Sequence, residues 1–212
     1  MRSLISILSK EEQRLLLHNL NYLHMAEIQS ICKKHGIPYT ITITAAAAQH
    51  RKTSEPDRKG IILQRLRHFL KTGKVQRATC FPASVLCFDP PPKKLAASNK
   101  LFYGQYDKNN LHMIALLKSL TGGKFQDGAI ARILARDFWS KGNAPTFKEF
   151  ANAWQKARTQ HKSPNPEWAF LTDLANKRAG TDWKKLRAQK AKKVLDMLRR
   201  LPAVPTRRRS AA

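Results

Sequence analysis

The sequence predicts a mainly α-helical protein. A small N-terminal helix–extended loop–helix module is joined to a C-terminal helical bundle that ends in a long basic helix. Three observations carry that prediction. Apolar residues recur at helical spacing through most of the 212 residues. Ser9-Lys-Glu-Glu12 and Thr146-Phe-Lys-Glu149 read as capping boxes, in which a hydroxyl and a carboxylate satisfy N–H groups left open in a first turn. Gly36, Gly73, Gly142 and Gly180 stand where helical patterns stop.

In chain order, the first capping box leads a short helix with Leu15, Leu16, Leu17 and Leu20 as apolar surface. A second helix over 23–35 repeats Met25, Ile28, Ile31 and Cys32; Gly36 ends it and Pro38 prevents its continuation. Alternating β-branched residues over 39–44 suit a short strand, which Ala45 to Ala48 could instead draw into a helical turn. Residues 49–57 are polar and read as an exposed loop. Asp57 is placed to cap a helix over 57–72, whose buried stripe is Ile62, Leu66, Phe69 and Leu70. Phe81-Pro82, the Pro90-Pro91-Pro92 run and Lys93-Lys94 argue against helix, with 84–88 a short apolar strand or plug. Helices then follow over 109–120 and 127–140 and from Thr146. Another starts after Ser163-Pro-Asn-Pro-Glu167 and buries Trp168, Leu171 and Leu174. The last is capped by Thr181-Asp182 and runs to about Leu201, with Trp183, Leu186, Val194, Leu195, Leu198 and Leu201 facing inward. The organisation expected is a module over 1–77, a proline-bearing and partly packed linker over 78–104, a helical bundle over 105–201, and a basic disordered tail over 202–212.

The charge is lopsided. There are 40 Lys+Arg against 14 Asp+Glu, a net charge of +26. Residues 176–212 hold 13 basic and 2 acidic residues, so ion pairing along the helix cannot neutralise them. Self-repulsion of this size is relieved by an external polyanion, and nucleic acid is the expected partner. The expected phosphate contacts are Arg58, Lys59, Arg65, Arg67 and Lys71 on one helix, Lys184, Lys185, Arg187, Lys192 and Lys193 on the last helix, and Arg207, Arg208 and Arg209 in the tail. No apolar run approaches the roughly 18 residues of a spanning helix, so no membrane partner is expected. Three cysteines without a C-x-x-C suit a reducing compartment, cytoplasm or nucleoid, as small buried apolar groups.

The run Leu23-His-Met-Ala-Glu-Ile-Gln-Ser-Ile-Cys-Lys-Lys-His-Gly-Ile-Pro38, followed by Arg58-Lys-Gly-Ile-Ile-Leu-Gln-Arg-Leu-Arg-His-Phe-Leu70, resembles the SAP module. That family is a small helix–extended loop–helix DNA-binding unit. The resemblance implies that Arg58 and Lys59 stand at the family's basic helix entry and that Arg65 matches its later arginine. Two departures stand beside it: the family joins its helices by a few residues, where here 39–57 intervene, and its Gly-Lys-Lys entry is replaced by Asp57-Arg58-Lys59.

Catalytic signals are sparse. The seven histidines show no H-x-x-x-H spacing, and the acids lack the clustering that two-metal phosphoryl chemistry needs. Gly122-Gly-Lys124 lacks the spacing of a phosphate-binding loop and reads as a helix stop. No enzyme activity, cofactor or metal is expected. The four tryptophans read as core. Phe102, Tyr103 and Tyr106, between Lys100 and Lys108, are candidates for base stacking but fit packing better. The functional expectation is a non-catalytic DNA-binding protein working through phosphate contacts, an accessory subunit that brings a larger DNA-processing machine to DNA, with the apolar 81–88 segment free to dock a partner. RNA binding within a ribonucleoprotein is the alternative, and assembly on an acidic protein partner a third reading.

Overall fold

The computed structural model of the protein describes residues 3–44, 50–160 and 180–202. It is mainly helical, with a three-stranded sheet. In order, the elements are α1 (Lys10–Asn19), α2 (Met25–Lys34), β1 (Thr40–Thr44), β2 (His50–Pro56), α3 (Lys59–Thr72), β3 (Cys80–Phe81), α4 (Leu111–Leu120), α5 (Ala129–Ser140), α6 (Phe147–Gln160) and α7 (Gly180–Arg199), with short 3-10 turns at Leu4–Ile7, Leu20–Tyr22 and Ala83–Val85. No helix among the described residues is long and apolar enough to cross a membrane.

The chain forms two compact units. The first draws its described residues from Met1–Tyr39, Pro56–Ala78 and Pro164–Ala212, the second from Thr40–Glu55 and Thr79–Ser163. In the first unit α1, α2, α3 and α7 enclose an aliphatic core: Leu16, Leu20, Leu23, Ile28, Ile62, Leu63, Leu66 and Leu70 are buried with Ala191, Val194 and Met197 of α7. Both hydrogen bonds of the Ser9–Glu12 capping box are made, at 3.1 and 2.9 Å. Gly36 and Gly73 end α2 and α3 at positive φ, as their places in the sequence predict.

The second unit packs α4, α5 and α6 with a sheet of order β2-β1-β3, in which β1 and β3 are parallel with Thr42 opposite Cys80. Its core is aromatic. Trp139 lies between Phe81, Tyr103 and Tyr106 at centroid distances of 5.5 to 6.0 Å, and Phe150, Phe125 and Trp154 continue the chain of ring contacts. The Thr146–Glu149 capping box is also formed.

Several expectations are corrected. The last helix does not join a bundle over 105–201: it closes the first unit, because its apolar line finds the leucines of α1. Residues 78–104 are not a linker. Leu101 is buried, its N–H donates to the Pro145 carbonyl at 2.7 Å, the Cys87 N–H donates to the Tyr103 carbonyl at 3.0 Å, and the Tyr103 N–H donates to the Val85 carbonyl at 2.9 Å. Residues 50–56 form β2 rather than a loop. The N-cap of α3 is Arg58, while Asp57 accepts the Arg58 N–H at 2.8 Å. Phe81 and Val85 are sealed in their own core, which leaves Phe88 as the exposed large apolar residue of the 81–88 segment. Leu111 and Leu186 are exposed. Cys32 is buried, and burial pushes its thiol up to about 11, but Cys80 and Cys87 are half-buried beside Thr44 and Gln105. The expectations for Ala45 to Ala48, for Trp168, Leu171 and Leu174 and for the 203–212 part of the tail lie outside the described residues, as does the side chain of Trp183.

Candidate nucleic-acid interface

The cations predicted on α3 have mostly internal work. Arg65 is 5% exposed and donates at 2.8 Å to Asp57, itself 4% exposed, and at 3.1 Å to the Pro38 carbonyl. It cannot reach a phosphate, and its assignment as a contact is corrected: a guanidinium this deep needs its carboxylate. Arg67 donates to the Leu17 carbonyl at 3.3 Å and to Asn21 Oδ1 at 2.9 Å, and Lys59 donates to the Asn21 carbonyl at 2.6 Å. These carbonyls lie at and just beyond the C-terminal end of α1, where open acceptors and the helix dipole both favour cations. Arg58 is half-buried, and Lys71 is exposed in the last turn of α3.

α7 is different. Seven of its 20 residues are Lys or Arg and two are Asp. Ala191, Val194 and Met197 form its buried line. At about 100° per residue the opposite line runs through Lys185, Lys192 and Arg199, flanked by Lys184 and Lys193; all five are exposed. The ridge from Lys185 to Arg199 is about 21 Å long. Among the described residues Lys184, Lys185, Lys192 and Lys193 have no ion-pair partner, while Arg199 pairs with Asp196 at 3.1 Å. The acids of neighbouring helices meet other cations. Glu12 takes Arg200 at 2.6 Å, and Glu27 lies 3.7 Å from the mostly buried Arg187, which removes Arg187 from the exposed set. Lys190 lies 4.1 Å over the Tyr22 ring and donates to its hydroxyl at 2.7 Å. Arg207, Arg208 and Arg209 lie outside the described residues.

The seven-residue spacing of Lys185, Lys192 and Arg199 is visible in the sequence, as is the inward line of Val194, Leu195, Leu198 and Leu201, but the α1 leucines that the inward line packs on were not, because that contact is tertiary. Sequence reasoning also missed the exposed Lys74 and Arg77 just beyond α3.

The second unit uses its polar groups to hold itself together. Tyr103 donates to Glu55 at 3.1 Å, and Arg136 pairs with the same carboxylate. Burial, then the Glu55 charge, push the Tyr103 hydroxyl up to about 12, so it stays a donor. Tyr106 is bonded to Asp127 and its hydroxyl is raised, again mainly by burial. Tyr103 and Tyr106 are thus packed against Trp139 and tied by their hydroxyls, as the packing reading expects. Among the described residues no three His, Cys, Asp or Glu are grouped to hold a metal ion. Neither protein-family models, nor curated proteins, nor solved structures give a match to this chain.

Proposed function

We propose that the protein is a non-catalytic DNA-binding protein that grips the phosphate backbone through the exposed ridge of α7, and serves as an accessory subunit that brings a larger DNA-processing machine to DNA. The observation that carries this reading is the Lys184, Lys185, Lys192, Lys193 and Arg199 surface, whose lysines have no acidic partner among the described residues, on a helix whose other face is buried. A ridge of about 21 Å runs beside about six phosphates of one strand at about 3.4 Å of helix axis each. Contacts of this kind position a protein without reading sequence. Lys71, Lys74 and Arg77 add exposed charge on the same unit.

The SAP resemblance supports the same reading. Residues 39–57 separate its two helices in sequence, yet the Asp57 N–H donates to the Tyr39 carbonyl at 2.8 Å, so the chain leaves and re-enters the unit at one point. Arg65 departs from the family reading, since it braces that closure from inside.

The test is fluorescence anisotropy with matched duplex DNA, single-stranded DNA and hairpin RNA across a salt series. Duplex preference with a log–log salt slope near −5, for about six phosphates neutralised, is the expected result. Preference for the RNA hairpin would replace this reading with an RNA-binding one, and flat, weak binding to all three would point to an acidic protein partner.

A further inference from the structure

The second unit contains a cleft of about 150 Å³ whose apolar walls include Pro91, Pro92, Leu95, Phe102, Met113 and Phe147. Four polar residues complete its lining: Asn99, Lys100, Gln105 and Asn110. Each amide is fixed at one end. Asn99 Oδ1 accepts the Ala96 N–H at 2.7 Å, Asn110 Oδ1 accepts the Met113 N–H at 3.1 Å as the cap of α4, and Gln105 Nε2 donates to the Asp89 carbonyl at 2.9 Å and to Cys87 Sγ at 3.0 Å. The other ends, two NH₂ groups and one carbonyl, have no partner among the described residues. The segment that carries Asn99 and Lys100 is held on either side, because the Leu101 N–H donates to the Pro145 carbonyl and the Phe147 N–H to the Asn99 carbonyl.

Apolar and aromatic walls with a few convergent, pre-oriented polar groups are what a small planar ligand needs. The cleft is too small for a drug-sized molecule and suits a single heteroaromatic ring. Its only charged liner among the described residues is Lys100, which is exposed; nearby Glu149 is held by the Thr146 hydroxyl and N–H. We propose that this cleft receives one unpaired nucleobase, stacked on Phe102 and read along its edge by Asn99, Asn110 and Gln105, with Lys100 on the adjoining phosphate. The proposal rests on the nucleic-acid reading above for its ligand class. It adds a second mode, single-strand recognition through a base, to backbone contact by α7.

The experiment is an amide-resolved NMR titration of the full chain with each deoxynucleoside 5′-monophosphate, with inorganic phosphate and deoxyribose 5-phosphate as controls. Saturable shifts of the Asn99 and Asn110 side-chain NH₂ groups and of backbone amides over 99–105, seen with a nucleotide and not with the controls, are expected. Identical shifts with phosphate alone, shifts confined to α7, or no shifts would overturn the proposal. As a second arm, Lys100→Gln and Phe102→Leu should each weaken oligo(dT) binding at least about fivefold, with duplex binding and circular dichroism unchanged. Unchanged oligo(dT) affinity in either variant counts against the cleft. Loss of duplex binding on neutralising α7 is read separately, so the cleft and the ridge stand or fall apart.

Discussion

The two units use their cations in opposite ways. Counted over their sequence segments, the first holds 25 Lys+Arg and 8 Asp+Glu, net +17, and the second 15 and 6, net +9. The first has an aliphatic core, and it sorts its cations by depth. Arg65 is buried on Asp57, Lys59 and Arg67 are spent on the carbonyls around the end of α1, and the lysines of α7 stay outside. The second has an aromatic core, and its acids tie tyrosines and an arginine to one another. The comparison teaches that a basic residue's place in a pattern says little about its role until its depth is known. Arg65 and Lys71 sit on one helix, six residues apart in sequence, and do different work.

Breaking one ion pair in each unit should show this most strongly. Arg65→Met takes the guanidinium away from the buried Asp57 carboxylate and should cost about 3–5 kcal/mol in denaturant unfolding. Arg136→Met, whose pair with Glu55 is 23% and 34% exposed, should cost about 1 kcal/mol or less. Equal losses would refute the ranking by depth. Next in size is Gly104→Ala in the second unit. Gly104 has φ +98°, and a Cβ there would lie 2.5 Å from the Cys87 carbonyl oxygen and 2.7 Å from the Phe88 ring. It should cost about 1–3 kcal/mol, read as a drop in Tm. Ser9→Ala and Thr146→Ala each remove the hydroxyl of a capping box, one per unit, and should cost about 1 kcal/mol apiece.

The smallest effect is a pH dependence. Burial, and then the neighbouring Lys34, hold His35 below its ordinary value of 6.5. The folded state therefore favours the neutral ring. Its stabilising contribution is complete above about 6.5 and is lost as pH falls through that value towards the folded one. Thermal melts on acidification from about pH 7 to about 5.5 should show a fall that His35→Gln flattens; an identical fall in the variant would remove His35 as the cause.

Much of the local structure was legible in the sequence. Ser9, Gly36, Gly73 and Thr146 act within a turn or two of themselves, so their signals need no tertiary information. The tryptophan cores at 139 and 154 were legible for a similar reason, since large apolar groups at helical spacing have few places to go. What failed was long-range. That α7 closes over α1, that 78–104 packs as part of a unit, and that 50–56 joins a strand all depend on partners far along the chain. On α3 the reading of Arg65, Arg67 and Lys59 as outward cations missed their partners because a helix wheel cannot reveal Asp57 and Asn21 beside them, whereas Lys71 is exposed as expected. Of the cleft, Phe102 beside Lys100 was legible as a stacking candidate, while Asn99, Gln105 and Asn110 left no sequence signal, as amides carry neither charge nor hydrophobic period.

In the proposed reading, location more than net charge marks out α7 as the surface for nucleic acid. The most direct test replaces Lys184, Lys185, Lys192 and Lys193 with Ala, and compares this variant with a charge-matched one in which the exposed Lys118, Lys124, Lys141 and Lys156 of the second unit are replaced. Duplex affinity is measured by anisotropy across a salt series. The account predicts that the α7 variant loses most of its duplex affinity, with the log–log salt slope shallower by about 0.9 for each phosphate no longer neutralised, while the matched variant stays close to the parent. Equal losses in the two would contradict it, since binding would then follow net charge wherever it sits.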